Sequence, residues 1–324
     1  MAAVIPHWNR AELLETLLRD LRLQSRPFNR CIVVDNGSTD GSPQVAEREG
    51  AEVLRLPHNL GFAAAVNRGV AHAEDADWVA VLNNDVTLAP DWLEILLAAA
   101  VSSSAAFATG KILDARDHTR IDGTWDEISR GACALRCGAG ASDGPLWNRP
   151  RKIRIAPMTA LLVERKSFQQ LGGLDERFVS YLEDVDFGLR CALAGHSGVY
   201  APAAISYHYG SSTWGRWHPD AVRLQSRNQV LLAAKHFRGQ SRWPILAGQL
   251  LWGLVALRHG CGWAYLTGKW AGMRLTAHVA REGPPPEVVA AVLKESEREI
   301  VAIQRQTGFE RYWRMYFLCV PPQP

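Results

Sequence analysis

Short apolar runs alternate with amphipathic segments through the first hundred residues of this 324-residue chain. Each run has the length of a buried strand, and the segments between them repeat apolar residues at helical spacing. This alternation predicts an α/β fold with a doubly wound, mostly parallel sheet flanked by helices. The predicted strands are Ala2–His7, Cys31–Asp35, Glu52–Leu56 and Trp78–Leu82, and the predicted helices are Ala11–Leu23, Pro43–Glu49, Phe62–Ala73 and Pro90–Ala100.

The rest of the chain has a less regular pattern. Residues 114–151 show little periodicity and predict an irregular excursion or a mobile loop. From Val222 the pattern stays helical to the tail, apart from the proline run Pro284–Pro286. Between these regions the sequence predicts strands at Ile153–Val163 and Val199–Tyr207 and a helix at Leu182–Ala194.

Polar or glycine-rich residues follow each of the first four predicted strands. Ligands of parallel α/β sheets bind at the carboxyl ends of the strands, so these residues are expected to converge on one edge. They are Pro6-His7-Trp8-Asn9, Asp35–Ser42, His58-Asn59-Leu60-Gly61-Phe62 and Asn83-Asn84-Asp85. Their convergence predicts a binding site at that edge.

The carboxylate of Asp35 is suited to accept a hydrogen bond from a base N–H or a sugar hydroxyl. Gly37 and Gly41 permit positive φ and a close approach of backbone to ligand. An ordinary Asp-Asn-Gly-Ser turn is the alternative. We favour binding because the polar run continues for eight residues after a strand.

Asp85, after a very apolar strand, is a hard oxygen ligand suited to Mg²⁺ or Mn²⁺. A cation there would neutralise negative charge on a departing diphosphate. His208 follows another predicted strand and offers an imidazole as a further metal ligand. A turn or helix cap for Asp85, and a structural role for His208, are the alternatives.

Asp184 lies off the apolar stripe of its predicted helix, near the N-terminus. The helix dipole there favours the ionised carboxylate, which predicts a base at neutral pH. Ser180-x-x-Glu183 also fits a capping box, which gives Glu183 a structural alternative.

Taken in order, these segments resemble the family two glycosyltransferases of the GT-A fold, particularly the bacterial rhamnosyltransferase-like branch. One departure is Asn83, which stands where some related motifs carry a carboxylate. The resemblance covers about residues 3–235. The matching residues are Asn9, Asp35–Ser42, Asn59-x-Gly61-Phe62-Ala63 with Asn67 and Gly69, Leu82–Asp85, Gly172–Phe178, Tyr181–Asp186, His208 with Gly210-Ser211-Ser212, and Arg227-Asn228.

The resemblance implies an inverting, metal-dependent hexosyltransferase. Its donor would be a nucleotide-diphosphate sugar, such as dTDP-rhamnose or a related hexose donor, and its acceptor a hydroxyl of a glycan, a lipid-linked intermediate or a small natural product. The resemblance implies Asp184, with Glu183 beside it, at the catalytic position, and Asp85 and His208 as ligands of Mg²⁺ or Mn²⁺. The residues implied to bind the donor are Pro6, Asn9, Asp35, Gly37, Asn59, Gly61, Asn67, Asn84 and Arg227. Trp214, Arg216 and Trp217 stand in a stretch suited to close over the donor.

We predict a GT-A catalytic domain at residues 1–238, with a donor-binding half at about 1–112 and an acceptor half at about 151–238. Residues 239–324 are predicted to form a helical C-terminal appendage, in which basic residues such as Arg258 and Lys269 interrupt an apolar background. We favour a helix pair packed on the catalytic domain. The alternative is a peripheral membrane contact near a lipid-linked acceptor.

Composition limits the classes of partner and the cellular compartment that the chain is expected to have. The formal net charge of +3 is too small to support bulk electrostatic binding to nucleic acid. The six cysteines form no CxxC pair, which favours free thiols in a reducing compartment and therefore a cytoplasmic protein, with contact at the inner membrane face as the alternative. The most apolar stretch, Pro244–Leu266, is interrupted by polar residues, which argues against a spanning helix.

Two other functional classes are the alternatives. A sugar nucleotidyltransferase normally carries a glycine-rich, basic loop after its first strand, where this chain has Pro6-His7-Trp8-Asn9-Arg10. A non-catalytic module that binds nucleotide sugars or a partner on the same scaffold is disfavoured because Asp35, Asp85, Asp184 and His208 occur together.

Overall fold

In a computed structural model, which describes residues 1–210, 217–279 and 284–323, the first hundred residues fold as the alternation predicts. The strands are β1 (Ala2–His7), β2 (Arg30–Asp35), β3 (Glu52–Arg55) and β4 (Trp78–Leu82). The helices are α1 (Ala11–Arg22), α2 (Ser42–Arg48), α3 (Phe62–His72) and α4 (Trp92–Ser102). Each of these elements lies where the periodicity predicts an element of the same type.

The strands that follow complete a mixed sheet. They are β5 (Val86–Leu88), β6 (Phe107–Asp114), β7 (Ile121–Gly123), β8 (Asp126–Ile128), β9 (Ala134–Arg136), β10 (Arg151–Ile153), β11 (Ala160–Glu164) and β12 (Gly198–His208). The sheet order is β10-β12-β6-β11-β4-β1-β2-β3, with β5 beside β12 and β7 beside β6. The pairs β3–β2, β2–β1, β1–β4 and β6–β12 are parallel, whereas β11 runs antiparallel between β4 and β6. β8 and β9 form a separate two-stranded sheet.

The core lies on both faces of the parallel strands. β1 is buried along its whole length, as expected for a strand covered by helices on each side. α1 contributes an ordinary amphipathic stripe to this core, made of Leu14, Leu17, Leu18 and Leu21. The apolar side chains pack against the faces of the sheet, and polar residues lie at its carboxyl edge, where the strands end.

Two sequence predictions for the middle of the chain are wrong in detail. Residues 114–151 are not wholly irregular, since they contain β7, β8 and β9. These strands of three residues are too short to show a period. The single predicted strand Ile153–Val163 is instead two strands, β10 and β11, with different neighbours. Pro157 lies between them, and proline lacks the N–H that a continuous central strand would need.

The remaining helices are α5 (Arg165–Gln170), α6 (Glu183–Leu193), α7 (Pro219–His236), α8 (Arg242–Arg258), α9 (Gly262–Leu275), α10 (Pro286–Thr307) and α11 (Arg311–Cys319). Within the described residues, the chain packs as two compact units: residues 1–125 with 138–210, and residues 126–137 with 217–323. α7 and the β8–β9 pair thus group with the C-terminal helices. The predicted functional division at residue 238 stays a prediction.

Two further expectations concern cysteines and membrane spans. All six cysteines are free thiols, as predicted. No helix in the described part of the chain combines the length and apolar character needed to cross a bilayer.

Candidate active site

The ends of β1, β2 and β4 meet at one edge of the sheet, as parallel pairing requires. His7 and Asp35 are register partners at the last positions of β1 and β2. The side-chain amide of Asn84, just beyond β4, lies 2.9 Å from Nδ1 of His7. Pro6 is buried opposite Val34 one residue earlier. The sequence-predicted donor residues therefore begin at a common edge.

The loop after β2 is rigidly tied to the loop after β1. Buried Asp35 accepts a 3.0 Å hydrogen bond from the backbone N–H of Ser38. Asn9 donates its own N–H to Ser38 Oγ and accepts the N–H of Thr39 on its side-chain oxygen, both at 2.9 Å. Gly37 has φ +77°, and a Cβ there would lie 2.7 Å from the Cα of His58. Only glycine fits this position without displacing backbone.

His7 is a site residue that the sequence reasoning did not single out. Its burial lowers the pKa to about 4, so the ring is neutral near pH 7. With Nδ1 accepting from Asn84, Nε2 carries the ring proton. That nitrogen is buried and finds no hydrogen-bond partner among the described residues. This edge of the sheet therefore carries one N–H group without a hydrogen-bond partner among the described residues. The position of His7 at the end of a strand is the sequence signal that could have revealed it.

A chain of hydrogen bonds connects this edge to the segment that precedes α6. The side chain of Asn36 accepts the N–H of Leu60 at 2.8 Å and donates to the carbonyl of Gly61 at 3.1 Å. Gly61 has φ +92°, and a Cβ there would lie 2.5 Å from a methyl group of Val179. The N–H of Ala63 donates to the carbonyl of Val179 at 3.0 Å. The loops after β2 and β3 thus position the start of α6.

Three other residues predicted to bind the donor make contacts within the fold. Asn59 accepts the N–H of Gly61 at 2.9 Å. The amide of Asn67 bonds both backbone groups of Leu174 at 2.8 Å and so holds the turn before residue 175. Arg227, in α7 of the other compact unit, donates to Asn228 at 2.9 Å. Their roles toward a donor stay predictions.

The backbone before α6 is strained. Val179, Tyr181 and Leu182 have φ of 65°, 70° and 65°, a region that non-glycine residues rarely occupy. Such strain is concentrated at functional sites in proteins. α6 begins at Glu183 with Leu182 at the N-cap, so Ser180 lies outside the capping position and the capping box, the structural alternative for Glu183, does not form. The left-handed turn, which sequence patterns do not reveal, shifts the helix start.

Among the acidic residues of the first turn of α6, Asp184 is the accessible one. Asp186 is fully buried in an ion pair with Arg190 at 2.9 Å, and Glu183 is buried. Asp184 is partly exposed. Accessibility therefore favours Asp184 over its neighbours as the group that meets an acceptor.

Asp85 and His208 are brought together by strand pairing. β5 pairs with the end of β12 so that His208 stands opposite Val86, the residue after Asp85. As a result, Asp85 Oδ1 lies 3.2 Å from His208 Nε2. On the other side of the ring, Asp122 of β7 lies 2.9 Å from Nδ1. Asp122 escaped the sequence reasoning because it belongs to a short strand in a region without periodicity.

The buried imidazole of His208 lies between two carboxylates. Burial by itself would lower its pKa, but the hydrogen bonds to Asp122 and Asp85 raise the pKa to about 9. Both ring nitrogens of the protonated ring then donate, one to each carboxylate. The arrangement is an Asp–His–Asp chain of hydrogen bonds.

The side chains of Asp85 and His208 can hold a divalent cation only if the cation takes further ligands from elsewhere. No group of three or more acidic, histidine or cysteine side chains placed to hold a metal occurs in the described parts of the chain. Asp122 faces the opposite ring nitrogen from Asp85, so the two carboxylates do not converge on one point. A metal at Nε2 of His208 would have to displace the proton that this nitrogen carries. With that proton gone, Asp85 and His208 offer one oxygen and one nitrogen, a set that Mn²⁺ accepts. Ser211, Ser212, Trp214 and Arg216 lie outside the described residues.

Comparison with known sequences gives consistent matches. Residues 2–154 match the model of Glycosyl transferase family 2. The chain is 34% identical over 259 residues to the N-acetylglucosaminyl-diphospho-decaprenol L-rhamnosyltransferase of Mycobacterium tuberculosis, covering 72% of this chain and 83% of that protein. It is 27% identical over 338 residues to the pre-mycofactocin glycosyltransferase of the same organism, covering 94% and 69%.

Solved structures match over nearly the whole chain. The mannosyltransferase PcManGT from Pyrobaculum calidifontis, in complex with GDP-Man and Mn²⁺, gives a TM-score of 0.55 at 19% identity, covering 98% of this chain and 85% of that one. GalNAc-T7 with UDP, GalNAc and Mn²⁺ gives 0.66 at 12% identity, covering 95% and 58%. At such low identity these likenesses show the fold, and the predicted GT-A fold is confirmed.

Proposed function

This chain belongs to glycosyl transferase family 2, in its rhamnosyltransferase-like branch, and from that premise we propose that it transfers a hexose from a nucleotide-diphosphate sugar to an acceptor hydroxyl with inversion. The observation that carries the proposal is the hydrogen-bonded path from Asp35 and Asn36 through Gly61 to the segment before Asp184. This path links the proposed nucleoside ligand to the proposed base within one compact unit.

Asp184 is the proposed general base. Its carboxylate takes the proton of the acceptor hydroxyl while the acceptor oxygen forms a bond to the anomeric carbon. The bond from that carbon to the diphosphate oxygen breaks in the same step, and the nucleoside diphosphate leaves with its electron pair. A single displacement without an enzyme nucleophile inverts the anomeric centre. Glu183 is buried, and we assign it a supporting role beside the base.

Asp85 and His208 are the proposed ligands of a divalent cation, with Mn²⁺ favoured over Mg²⁺ because one ligand is an imidazole. When bound, the cation supplies charge stabilisation for the departing diphosphate. Asp122 holds the His208 ring through Nδ1, as carboxylates commonly orient metal-ligating histidines. With few protein ligands, the site would depend on donor oxygens and water to complete the coordination shell.

The relatives support a proposal for the sugar and the acceptor. The Mycobacterium tuberculosis rhamnosyltransferase is named for an acceptor that carries a diphospho-decaprenol. We therefore propose an activated rhamnose or a related hexose as donor, and a lipid-linked saccharide as acceptor. Such an acceptor resides at a membrane, which fits a protein that works in the cytoplasm at the inner face of that membrane.

The assignment of the base can be tested with a panel of nucleotide sugars and Mn²⁺, with release of nucleoside diphosphate as the readout. We expect Asp184→Asn to lower kcat by about 10²–10⁴-fold, the usual contribution of a general base. The dissociation constant of the donor should stay within about twofold, because Asp184 is proposed to meet the acceptor.

Two matched variants complete this experiment. Asp91→Asn changes an exposed carboxylate and should leave the rate unchanged. Glu183→Gln should cost less than Asp184→Asn. Full activity in Asp184→Asn would contradict the assignment, and donor binding without any turnover by the wild type would favour the non-catalytic module.

A further inference from the structure

Helix α8 carries one row of large apolar side chains outward, while Trp252 packs against Trp217 and Tyr265. Between residues 243 and 257 every exposed position of this helix is apolar. These side chains repeat at intervals of three and four residues and so form one continuous stripe. They are Trp243, Leu246, Leu250, Leu254 and Leu257, and each is between 56% and 65% exposed.

Helix α9 likewise exposes its large apolar side chains and buries its small ones. Its exposed stripe consists of Trp263, Leu266, Trp270 and Met273, which are 55–78% exposed. Its buried stripe consists of small residues, Ala264, Gly268 and Gly272. A Cβ on Gly268 would lie 2.3 Å from the carbonyl oxygen of Arg223 in α7, so the two helix backbones pack in close contact.

This distribution is the reverse of that in a water-exposed helix, which turns its apolar stripe inward. Single exposed leucines are ordinary on protein surfaces, but continuous apolar patches of this kind mark contact with another molecule or a membrane. We call the two exposed stripes together the α8–α9 face. Small residues, together with Trp252 and Tyr265, pack the inner sides of the two helices. The large side chains of the α8–α9 face stay more than half exposed, although the indole of Trp243 donates to the carbonyl of Cys319 at 2.9 Å.

The charges around the α8–α9 face indicate what covers it. Residues 221–281 contain no aspartate or glutamate, and α8 and α9 carry three exposed arginines. Exposed Arg242 and Arg258 stand at the two ends of α8. The guanidinium of Arg274 lies 3.7 Å over the ring of Trp270 on the face itself. Apolar side chains bordered by cations complement a bilayer whose headgroups are anionic.

We propose that the α8–α9 face is an interfacial membrane-binding surface that lies in the plane of an anionic bilayer and inserts its tryptophans and leucines below the headgroups. A second copy of this chain is the weaker occupant. A two-fold interface would place the same patch against itself, and here that would bring like charges together. The proposal rests on surface chemistry and stands whether or not the proposed donor and base are correct.

Vesicle flotation with the full chain tests the proposal. Vesicles of phosphatidylcholine alone are compared with vesicles that contain about 30% phosphatidylglycerol, at low salt and at high salt. We expect the wild type to float with the anionic vesicles, and added salt to weaken this binding. The variant Leu254→Gln/Trp263→Gln/Trp270→Gln should lose at least about tenfold in partitioning, because interfacial binding scales with buried apolar area.

The matched control is Leu23→Gln/Val101→Gln, which alters side chains of 70% and 62% exposure elsewhere on the molecule. It should partition like the wild type, and the melting temperature of both variants should match that of the wild type. Equal flotation of the triple variant and the wild type, or no flotation of either, would overturn the proposal. A wild-type dimer that the triple variant converts to monomers, with no vesicle binding, would show an interface between copies instead. Nucleoside diphosphate release, measured without vesicles, reports the proposed function separately.

Discussion

The carboxyl edge of the sheet and the α8–α9 face both reverse the usual distribution of residues, in opposite senses. At the edge, His7, Asp35, Asp85 and His208 are buried although they are polar. On the face, tryptophan and leucine side chains are exposed although they are apolar. Burial of a polar group costs folding free energy unless hydrogen bonds compensate it, and exposure of a large apolar side chain forgoes the free energy of its burial. Departures from the ordinary pattern thus locate the two surfaces at which we expect partners.

The two regions also differ in how their side chains are held. At the edge, hydrogen bonds fix each polar group, as the path from Asn36 to Val179 illustrates. On the face, the large side chains are more than half exposed, although Trp243 contacts the carbonyl of Cys319 and Trp270 contacts Arg274. Catalytic chemistry requires such fixed geometry, whereas partitioning into a fluid bilayer requires only apolar area.

The largest effect is expected from breaking the Asp–His–Asp chain at the edge. Asp85→Asn should abolish the dependence of donor affinity on Mn²⁺. Asp122→Ala should weaken that dependence by about 10–100-fold while His208 is retained, the usual cost of losing the partner of a metal-ligating histidine. Calorimetric titration of donor with and without Mn²⁺ measures both. Asp91→Asn is the control, and an unchanged Mn²⁺ dependence in Asp85→Asn would refute the metal site.

A smaller effect, on stability, sharpens the comparison between ordinary and inverted helices. Leu17→Ala in α1 should destabilise the fold by about 2–5 kcal/mol, because it empties part of the core. Gly268→Ala in α9 should cost about 1–3 kcal/mol, because the added methyl group meets the backbone of α7. Leu254→Gln should change stability by less than about 0.5 kcal/mol. Chemical denaturation measures the change in the free energy of unfolding for all three variants. A large loss of stability in Leu254→Gln would mean that the exposed stripe of α8 is packed in solution.

Much of the first unit was predictable because its elements are local. The parallel strands are recognisable in the sequence as apolar runs. That the polar residues after each strand share one edge follows from the geometry of parallel sheets. Asp122 was not predictable, since it reaches His208 only through the pairing of β7 with β6 and of β6 with β12. The capping box of Ser180 and Glu183 does not form because three residues with positive φ precede α6.

The helices of the second unit show a different limit. Their existence follows from the pattern after Val222, but which stripe faces inward does not. α9 has two stripes, one of glycine and alanine and one of tryptophan, leucine and methionine. The general preference for buried large side chains points to the wrong one. Only the contact between α9 and α7 shows that the small residues are the ones that pack.

The anomeric configuration of the product tests the central claim, single displacement with Asp184 as base, most directly. The donor that gives turnover is incubated with a hydroxyl acceptor, and the configuration at the anomeric carbon is determined by NMR in donor and product. The account predicts opposite configurations, since one displacement inverts the centre. The same configuration in donor and product would contradict it, because retention requires a route that Asp184 as sole base does not provide.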